Sequence, residues 1–167
     1  IINVQFMVLQ KTEQKQNIIA RTLFMEARSD YKNSGLQAVA SVIWNRSGGD
    51  TNKIVKICFE KYQFSAWNKY NPSENPEFLP EKYKSVVPTQ AKNNIIEKRA
   101  WDRCLFWAKQ MLENKFVSNI GNRNMYATAA VSEITDWWKD MQNPTRLGEF
   151  GQNHIFGYLP EHDGFRI

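Results

Sequence analysis

Glu26 places a carboxylate on a side of the chain that is otherwise apolar. Within TLFMEARSD, residues 22–30, a step of three from Leu23 leads to Glu26, which is the spacing of one helix face. Desolvation of a carboxyl group favours its protonated form. A carboxyl held in that form suits a general acid, as in glycosidic bond cleavage. The spacing leaves a second interpretation open, in which Glu26 turns to solvent or pairs with Arg21 or Arg28.

Helices are predicted to position Glu26. Thr12 is typical of a helix cap, and the apolar spacing behind it predicts a helix to about Arg28. Ser34 and Gln37 have the spacing of a capping box, which predicts a second helix. The SGG stretch at residues 47–49 ends that helix.

The remainder of the chain is predicted to contain one long helix and a late β element. Thr89 is predicted to cap a helix that ends near residue 115. The positions predicted to form its buried stripe are Ile96, Ala100, Cys104, Trp107, Ala108 and Met111. Residues 53–60 fit a helical turn or a strand, and prolines make residues 61–88 a loop. Strands are predicted at 124–129 and 153–159, with a short helix between them. The sum is a mostly helical α+β fold.

Composition limits the classes of function. The 167 residues include no apolar run near the twenty that a membrane span requires, so no membrane insertion is predicted. The net charge of +5 fits an anionic partner, which leaves a non-catalytic nucleic-acid binder as an alternative. Basic residues are scattered rather than clustered, so no nucleic-acid partner is predicted.

Metal and thiol chemistry are less favoured than the single acid. The two histidines lie far in sequence from both cysteines, so no metal site and no cofactor is predicted. A Cys/His peptidase that uses Cys58 or Cys104 with His154 is an alternative of a different class. Cysteines on apolar helix stripes more often pack in the core, and two isolated core thiols are the favoured interpretation over a disulfide.

Two short stretches combine aromatic and small polar residues. They are YQFSAWN at residues 62–68 and MYATA at residues 125–129. Sugar rings stack on aromatic faces, and their hydroxyl and acetamide groups need hydrogen-bond partners. This mixture suits a carbohydrate site, although aromatic residues also fill cores.

Five blocks in order resemble the spore-cortex-lytic (SleB-type) cell wall hydrolase family. They are ARTLFMEARSD, GLQAVASVIWNR, QFSAWN, MYAT and NHIF, and together they extend over roughly residues 19–156. The chain departs from the family pattern in its GLQ arrangement, in a long insert at residues 68–100 and in the GNRNM turn before the late tyrosine.

The resemblance implies a lysozyme-like fold in a single catalytic domain over residues 1–167. It implies cleavage of peptidoglycan between N-acetylmuramic acid and N-acetylglucosamine by a monomer, with Glu26 as the catalytic acid. The residues it maps to the substrate cleft are Gln63, Ser65, Trp67, Tyr126 and His154, although a structural role is favoured for His154 and Trp67 also fits the core. Asn45 and Arg46 are interpreted as residues that support the site residues, or as helix-end structure. The basic single domain is typical of a phage endolysin, made in the host cytoplasm and acting on the periplasmic wall. A bacterial autolysin or germination enzyme is the alternative.

The final prediction concerns the reaction after protonation. Hydrolysis needs a second carboxylate, and the T4-type lysozyme places one nine positions after its glutamate, where this chain has Gly35. The remaining acids considered, none in an apolar setting, are Glu60, Glu74, Asp136 and Glu149. The sequence therefore predicts a lytic transglycosylase, in which the C6 hydroxyl of the substrate attacks the anomeric carbon. A hydrolytic muramidase or glucosaminidase is the alternative.

Overall fold

The computed structural model describes residues 4–32, 34–60, 87–128, 137–147 and 154–166. Helix α1 is Val4–Ala27, followed by a 3-10 turn at Arg28–Asp30. Within the described residues, the other helices in chain order are α2 at Ser34–Ser47, α3 at Thr51–Cys58, the short α4 at Thr89–Lys92, and α5 at Ile95–Leu112. The fold is mostly helical with a small sheet late in the chain, as the sequence predicted.

Two predicted helix starts are wrong. Helix α1 begins at Val4, so Thr12 lies within it and does not cap it. The predicted long helix from Thr89 is interrupted, and Asn94 caps α5 by accepting hydrogen bonds from the backbone amides of Ile96 and Glu97. An asparagine side chain at this position satisfies amides that the first turn leaves without partners. The new start also places Ile96 at the surface, where its side chain is 55% exposed.

The predicted bounds of α2 are confirmed, and α3 is a helix. Helix α2 begins at Ser34 and ends at Ser47, after which Gly48 and Gly49 adopt φ of +64° and +70°. A Cβ atom on Gly48 would overlap the carbonyl of Gly164, so this turn requires glycine on both counts. The ambiguous stretch at residues 53–60 is helical through α3, and Asp50 caps it by accepting from the amide of Asn52.

The core is formed where α1 crosses α5 and α2. Phe24 of α1 meets Trp101 of α5 edge to face, with ring centroids 5.8 Å apart. Leu23 on α1 and Val39 and Ile43 on α2 are fully buried in the same cluster. Burial of aromatic and branched side chains on these faces fixes the direction in which α1 ends. Glu26 lies in the last turn of α1, at the margin of this core.

A three-stranded antiparallel sheet packs beside the helices. Its strands are β1 at Met125–Thr128, β2 at Gln142–Arg146 and β3 at His154–Tyr158, and β3 is central. The predicted late β element is therefore confirmed, with its first and last strands near the predicted positions. The short helix predicted between them is a 3-10 turn at Trp137–Asp140. A further 3-10 turn at Pro160–His162 follows β3.

None of the helices in the described part of the chain combines the length and the apolar character that a membrane crossing requires.

Candidate active site

A hydrogen bond joins the end of α1 to the sheet. The hydroxyl of Tyr126 on β1 donates to Oε2 of Glu26, with the two oxygens 2.7 Å apart. Both side chains are half-buried, so the contact lies where the helical core meets solvent. Glu26 and Tyr126 are 100 positions apart in the chain, and the fold brings together the two residues that the sequence assigned to the acid and to the cleft.

One face of the sheet around Glu26 is aromatic. Tyr126 pairs across the strands with Phe156, and alternation of side chains places His154 on the same face. The Tyr126 ring lies 5.4 Å from the imidazole of His154 and 5.7 Å from the ring of Phe156, measured between centroids. We call the surface of these three residues the front face. His154 contacts Tyr126 edge to face, so it supports the ring that reaches Glu26.

The Tyr126 hydroxyl is held in its donor form. Burial, followed by the charge of Glu26 and the hydrogen bond to it, raises the pKa of Tyr126 well above that of free tyrosine. The positive charge of Arg46 opposes this change and is the smaller effect. Tyr126 therefore stays protonated at neutral pH and presents a hydrogen to Oε2 rather than a second negative charge.

Buried polar groups at the end of α2 fix the start of β1. Nε of Arg46 donates to the carbonyl of Asn124 at 2.7 Å, and Nη2 contacts Sδ of Met125. The amide side chain of Asn124 is fully buried and binds both the N–H and the carbonyl of Leu159, each at 2.9 Å. Buried polar groups are stable when they are paired in this way. The backbone just before Tyr126 is thereby held to α2 and to the chain after β3.

A polar stripe on α2, formed by Gln37, Ser41 and Asn45, holds the segment that leads into β1. Gln37 Nε2 donates to the carbonyl of Val117 at 3.1 Å. Ser41 Oγ lies 3.2 Å from both the backbone nitrogen and Oδ1 of Asn119. Asn45 Nδ2 donates to two further carbonyls of this segment, at 2.8 and 2.7 Å, those of Gly121 and Arg123. Both side chains thus fix the approach to Tyr126, which fits the interpretation of Asn45 and Arg46 as residues that support the site residues.

A second cluster of charged groups lies on the other side of Arg46. Its Nη1 forms an ion pair with Oε2 of Glu60 at 3.8 Å. A pocket of about 130 Å³ beside them is also lined by His162 and Asp163. Burial raises the pKa of Glu60, while the charge of Arg46 partly offsets the change. Burial and the same arginine both lower the pKa of His162.

The two cysteines are packing residues in the described structure. Cys58 and Cys104 are free thiols with no exposed surface, as the favoured interpretation predicted. Burial raises the pKa of the Cys58 thiol to about 12, and burial also raises that of Cys104. Neither thiol is a thiolate at neutral pH, and the thiolate is the form that attacks a peptide bond. Among the described residues, no group of histidine, cysteine and carboxylate side chains could hold a metal ion.

Several predicted residues lie outside the described part of the chain. They are Gln63, Ser65 and Trp67 of the predicted cleft, and Glu74, Asp136 and Glu149 among the remaining acids. Phe156, Asn124 and the polar stripe of α2 were not predicted from the sequence to belong to the site. The stripe had a visible signal, because its three polar residues recur every fourth position in the stretch 36–45, which is otherwise apolar.

A comparison with protein families finds a match over most of the chain. The model described as Cell Wall Hydrolase matches residues 30–157, more than half of the chain. The matched region includes Tyr126 and His154 and begins four positions after Glu26. Neither a curated protein nor a solved structure matches this chain, so the lysozyme-like fold stays a prediction.

Proposed function

The chain belongs to the cell wall hydrolase family, and from this premise we propose that it cleaves the glycan strands of peptidoglycan with Glu26 as the catalytic acid. Enzymes of this family act on peptidoglycan, and the proposal adds the bond, the residue and the reaction. The bond is the β-1,4 link between N-acetylmuramic acid and N-acetylglucosamine. The observation that carries the proposal is the hydrogen bond from Tyr126 to Oε2 of Glu26 beside the aromatic front face.

The contact suits a carboxyl that alternates between acid and base. A protonated carboxyl still accepts a hydrogen bond at its carbonyl oxygen, so Tyr126 can orient Glu26 in either state. Glu26 first gives its proton to the glycosidic oxygen, and the bond from that oxygen to C1 of the muramoyl residue breaks. The C6 hydroxyl oxygen of the same sugar then bonds to C1, and its proton passes to the Glu26 carboxylate. This lytic transglycosylase reaction consumes no water and regenerates the acid.

The pairing of Glu60 supports the use of a single carboxylate. In most glycoside hydrolases a second carboxylate acts on water or on C1. Glu60 is the acid among the four alternatives that the structure describes, and it forms an ion pair with the buried guanidinium of Arg46. We therefore assign Glu60 to the structure around Arg46. The hydrolytic muramidase or glucosaminidase is the second candidate, and it requires a carboxylate with a catalytic role.

Two substitutions and one mass measurement test the proposal. Glu26→Gln keeps the shape of the side chain but has no proton to give, so we expect it to fold and to lose at least 1,000-fold in the release of fragments from purified peptidoglycan. Glu60→Gln should retain activity within about fivefold. Fragments should carry 1,6-anhydro ends, one water lighter than hydrolysed ends, when analysed by mass spectrometry. Reducing ends that take up ¹⁸O from labelled water would show hydrolysis, and an inactive Glu60→Gln would then identify the second carboxylate.

The wider setting follows from the same proposal. We infer a single domain over residues 1–167 that acts as a monomer on the periplasmic wall without a cofactor, most consistent with a phage endolysin. Sedimentation of the purified chain tests the monomer, and clearing of outer-membrane-permeabilised Gram-negative cells tests the target. A gel shift with DNA at physiological salt addresses the nucleic-acid alternative, which predicts retention of the probe and no effect on walls.

A further inference from the structure

The back of the sheet carries a groove that is separate from the front face. Ala127 on β1, Ile155 on β3 and Arg146 on β2 lie in one row across the three strands. Ala127 and Ile155 are adjacent in the chain to Tyr126 and Phe156, which pair with each other in the neighbouring row. Because neighbouring side chains of a strand point to opposite faces, the first row belongs to the back face. The groove and Glu26 thus share one sheet as a common wall.

The groove has an apolar floor and cationic flanks. Its volume is about 500 Å³, within the range of ligand sites. The lining residues are Ala127, Lys139, Met141, Pro144, Thr145, Arg146 and Ile155. Met141 is buried against Gly157, where a Cβ atom would overlap its side chain, so the floor depends on that glycine.

The charges point to an anionic ligand. Lys139 and Arg146 are both exposed, and they come from different elements, the 3-10 turn and β2. An ammonium and a guanidinium beside an apolar floor are complementary to carboxylates on a ligand that also has small apolar groups.

We propose that this back-face groove binds the short peptide stems of peptidoglycan. The inference rests on the proposed function, because it concerns the same polymer. Stems carry free carboxylates and alanine methyl groups, which match the flanks and the floor. Three strands span about 10 Å, and a stem of about four residues extends to roughly 13 Å. An extended stem is therefore long enough to lie along the groove across all three strands.

Direct binding of a free stem tests the proposal without any need for catalysis. The probe is the alanyl-γ-glutamyl-diaminopimelyl-alanine tetrapeptide, titrated into the whole chain by calorimetry. We expect the double variant Lys139→Gln/Arg146→Gln to bind at least tenfold more weakly than the wild type. The matched control is Lys98→Gln/Lys109→Gln, which also removes two positive charges, from exposed ion pairs with Asp102 and Glu113 on and beside α5. Its affinity should equal that of the wild type.

Activity on two substrates gives a second readout. On intact peptidoglycan the groove variant should be at least fivefold slower than the wild type, whereas on glycan strands stripped of stems by an amidase the two should be equal. Failure of the wild type to bind the peptide, or equal binding by the groove variant, would overturn the proposal. Binding of anionic lipid vesicles through these two cations, without peptide binding, would also overturn it. A wild type that binds the peptide but cleaves no glycan would contradict the proposed function and leave the groove assignment standing.

Discussion

Removal of the Tyr126 hydroxyl isolates the contact on which the catalytic assignment rests. In Tyr126→Phe the ring and its packing on Phe156 remain, and the 2.7 Å hydrogen bond to Glu26 is lost. A hydrogen bond to a charged group contributes about 1.5 to 3 kcal/mol. Both partners are half-buried, so the lower end applies, and we expect the free energy of unfolding to fall by about 1.5 kcal/mol. Urea unfolding followed by circular dichroism measures this change.

The same loss should reach catalysis through the orientation of Glu26. If about 1.4 kcal/mol of transition-state stabilisation depends on the bond, turnover falls about tenfold. Tyr126 contacts the acid, so kcat should change while KM stays within about twofold. The assay is the rate of soluble fragment release from purified peptidoglycan over a range of substrate concentrations.

Tyr158→Phe is the matched control for this prediction. Tyr158 lies on β3 of the same sheet, and its hydroxyl donates to Oδ2 of Asp163 at 2.8 Å. The substitution removes a tyrosine-to-carboxylate bond of similar length and leaves Glu26 untouched, so kcat should stay within twofold of the wild type. Wild-type turnover in Tyr126→Phe, or an equal loss in both variants, would refute the catalytic role of the contact.

The pH dependence of stability gives an independent check on Tyr126. Its pKa is raised in the folded state, so the unfolded chain ionises first as pH rises above about 10. Ionisation of the unfolded state favours unfolding, and the stability that depends on protonated Tyr126 is lost through this range. The phenylalanine variant lacks the ionisation. The difference in unfolding free energy between wild type and Tyr126→Phe should therefore shrink between pH 9 and 11, and a constant difference would contradict the burial argument.

Three further outcomes follow from the groups around the site. Cys58→Ser/Cys104→Ser should retain fragment release per folded molecule, because both thiols are buried and protonated; complete loss of activity in a folded double variant would restore the thiol peptidase. Asn45→Leu leaves the carbonyls of Gly121 and Arg123 without their donor. It should lower the free energy of unfolding, measured in urea, by about 2 to 4 kcal/mol. A loss below about 0.5 kcal/mol would refute the role of Asn45 in holding this segment. The pKa of His162 is lowered in the folded state, so as pH falls below about 6.5 the unfolded state takes up the proton first and stability is lost; His162→Gln should show a weaker fall in melting temperature from pH 7 to pH 5, and an identical fall would contradict this account.

The helical part of the site was largely predictable from sequence. Apolar spacing identified α2 and the face of α1 that ends at Glu26, because helix periodicity records which side is buried. The start of α1 was missed since Thr12 resembles a cap, although the chain already forms helix from Val4. At α5 two candidate caps, Thr89 and Asn94, lie close together, and only the second accepts from the first-turn amides. Local patterns do not decide between caps that the tertiary structure selects.

The contacts at the site were less predictable because they are long-range. The resemblance assigned Tyr126 to the cleft, but the sequence gives no measure of its distance to Glu26. The pairing of β1 with β3 and the hold of Arg46 on Asn124 together bring the tyrosine to the acid. Arg46 makes two contacts, a hydrogen bond to the carbonyl before β1 and an ion pair with Glu60. Neither contact can be predicted from the position of Arg46 at the end of α2.

The spacing of the polar stripe on α2 sets the length of chain in the loop that follows α5. Successive members of the stripe are four residues apart on a helix, a rise of about 6 Å. Their partners on the loop, Val117, Asn119 and Gly121, are two residues apart, and two residues of open chain reach up to about 7 Å. Three of the bonds are made to loop carbonyls, so these contacts depend on the spacing of the loop backbone. An insertion of one residue between Val117 and Gly121 would shift the loop relative to α2, break part of these hydrogen bonds and displace Tyr126. The same insertion just before Val117 would leave all of the hydrogen bonds to the stripe in place.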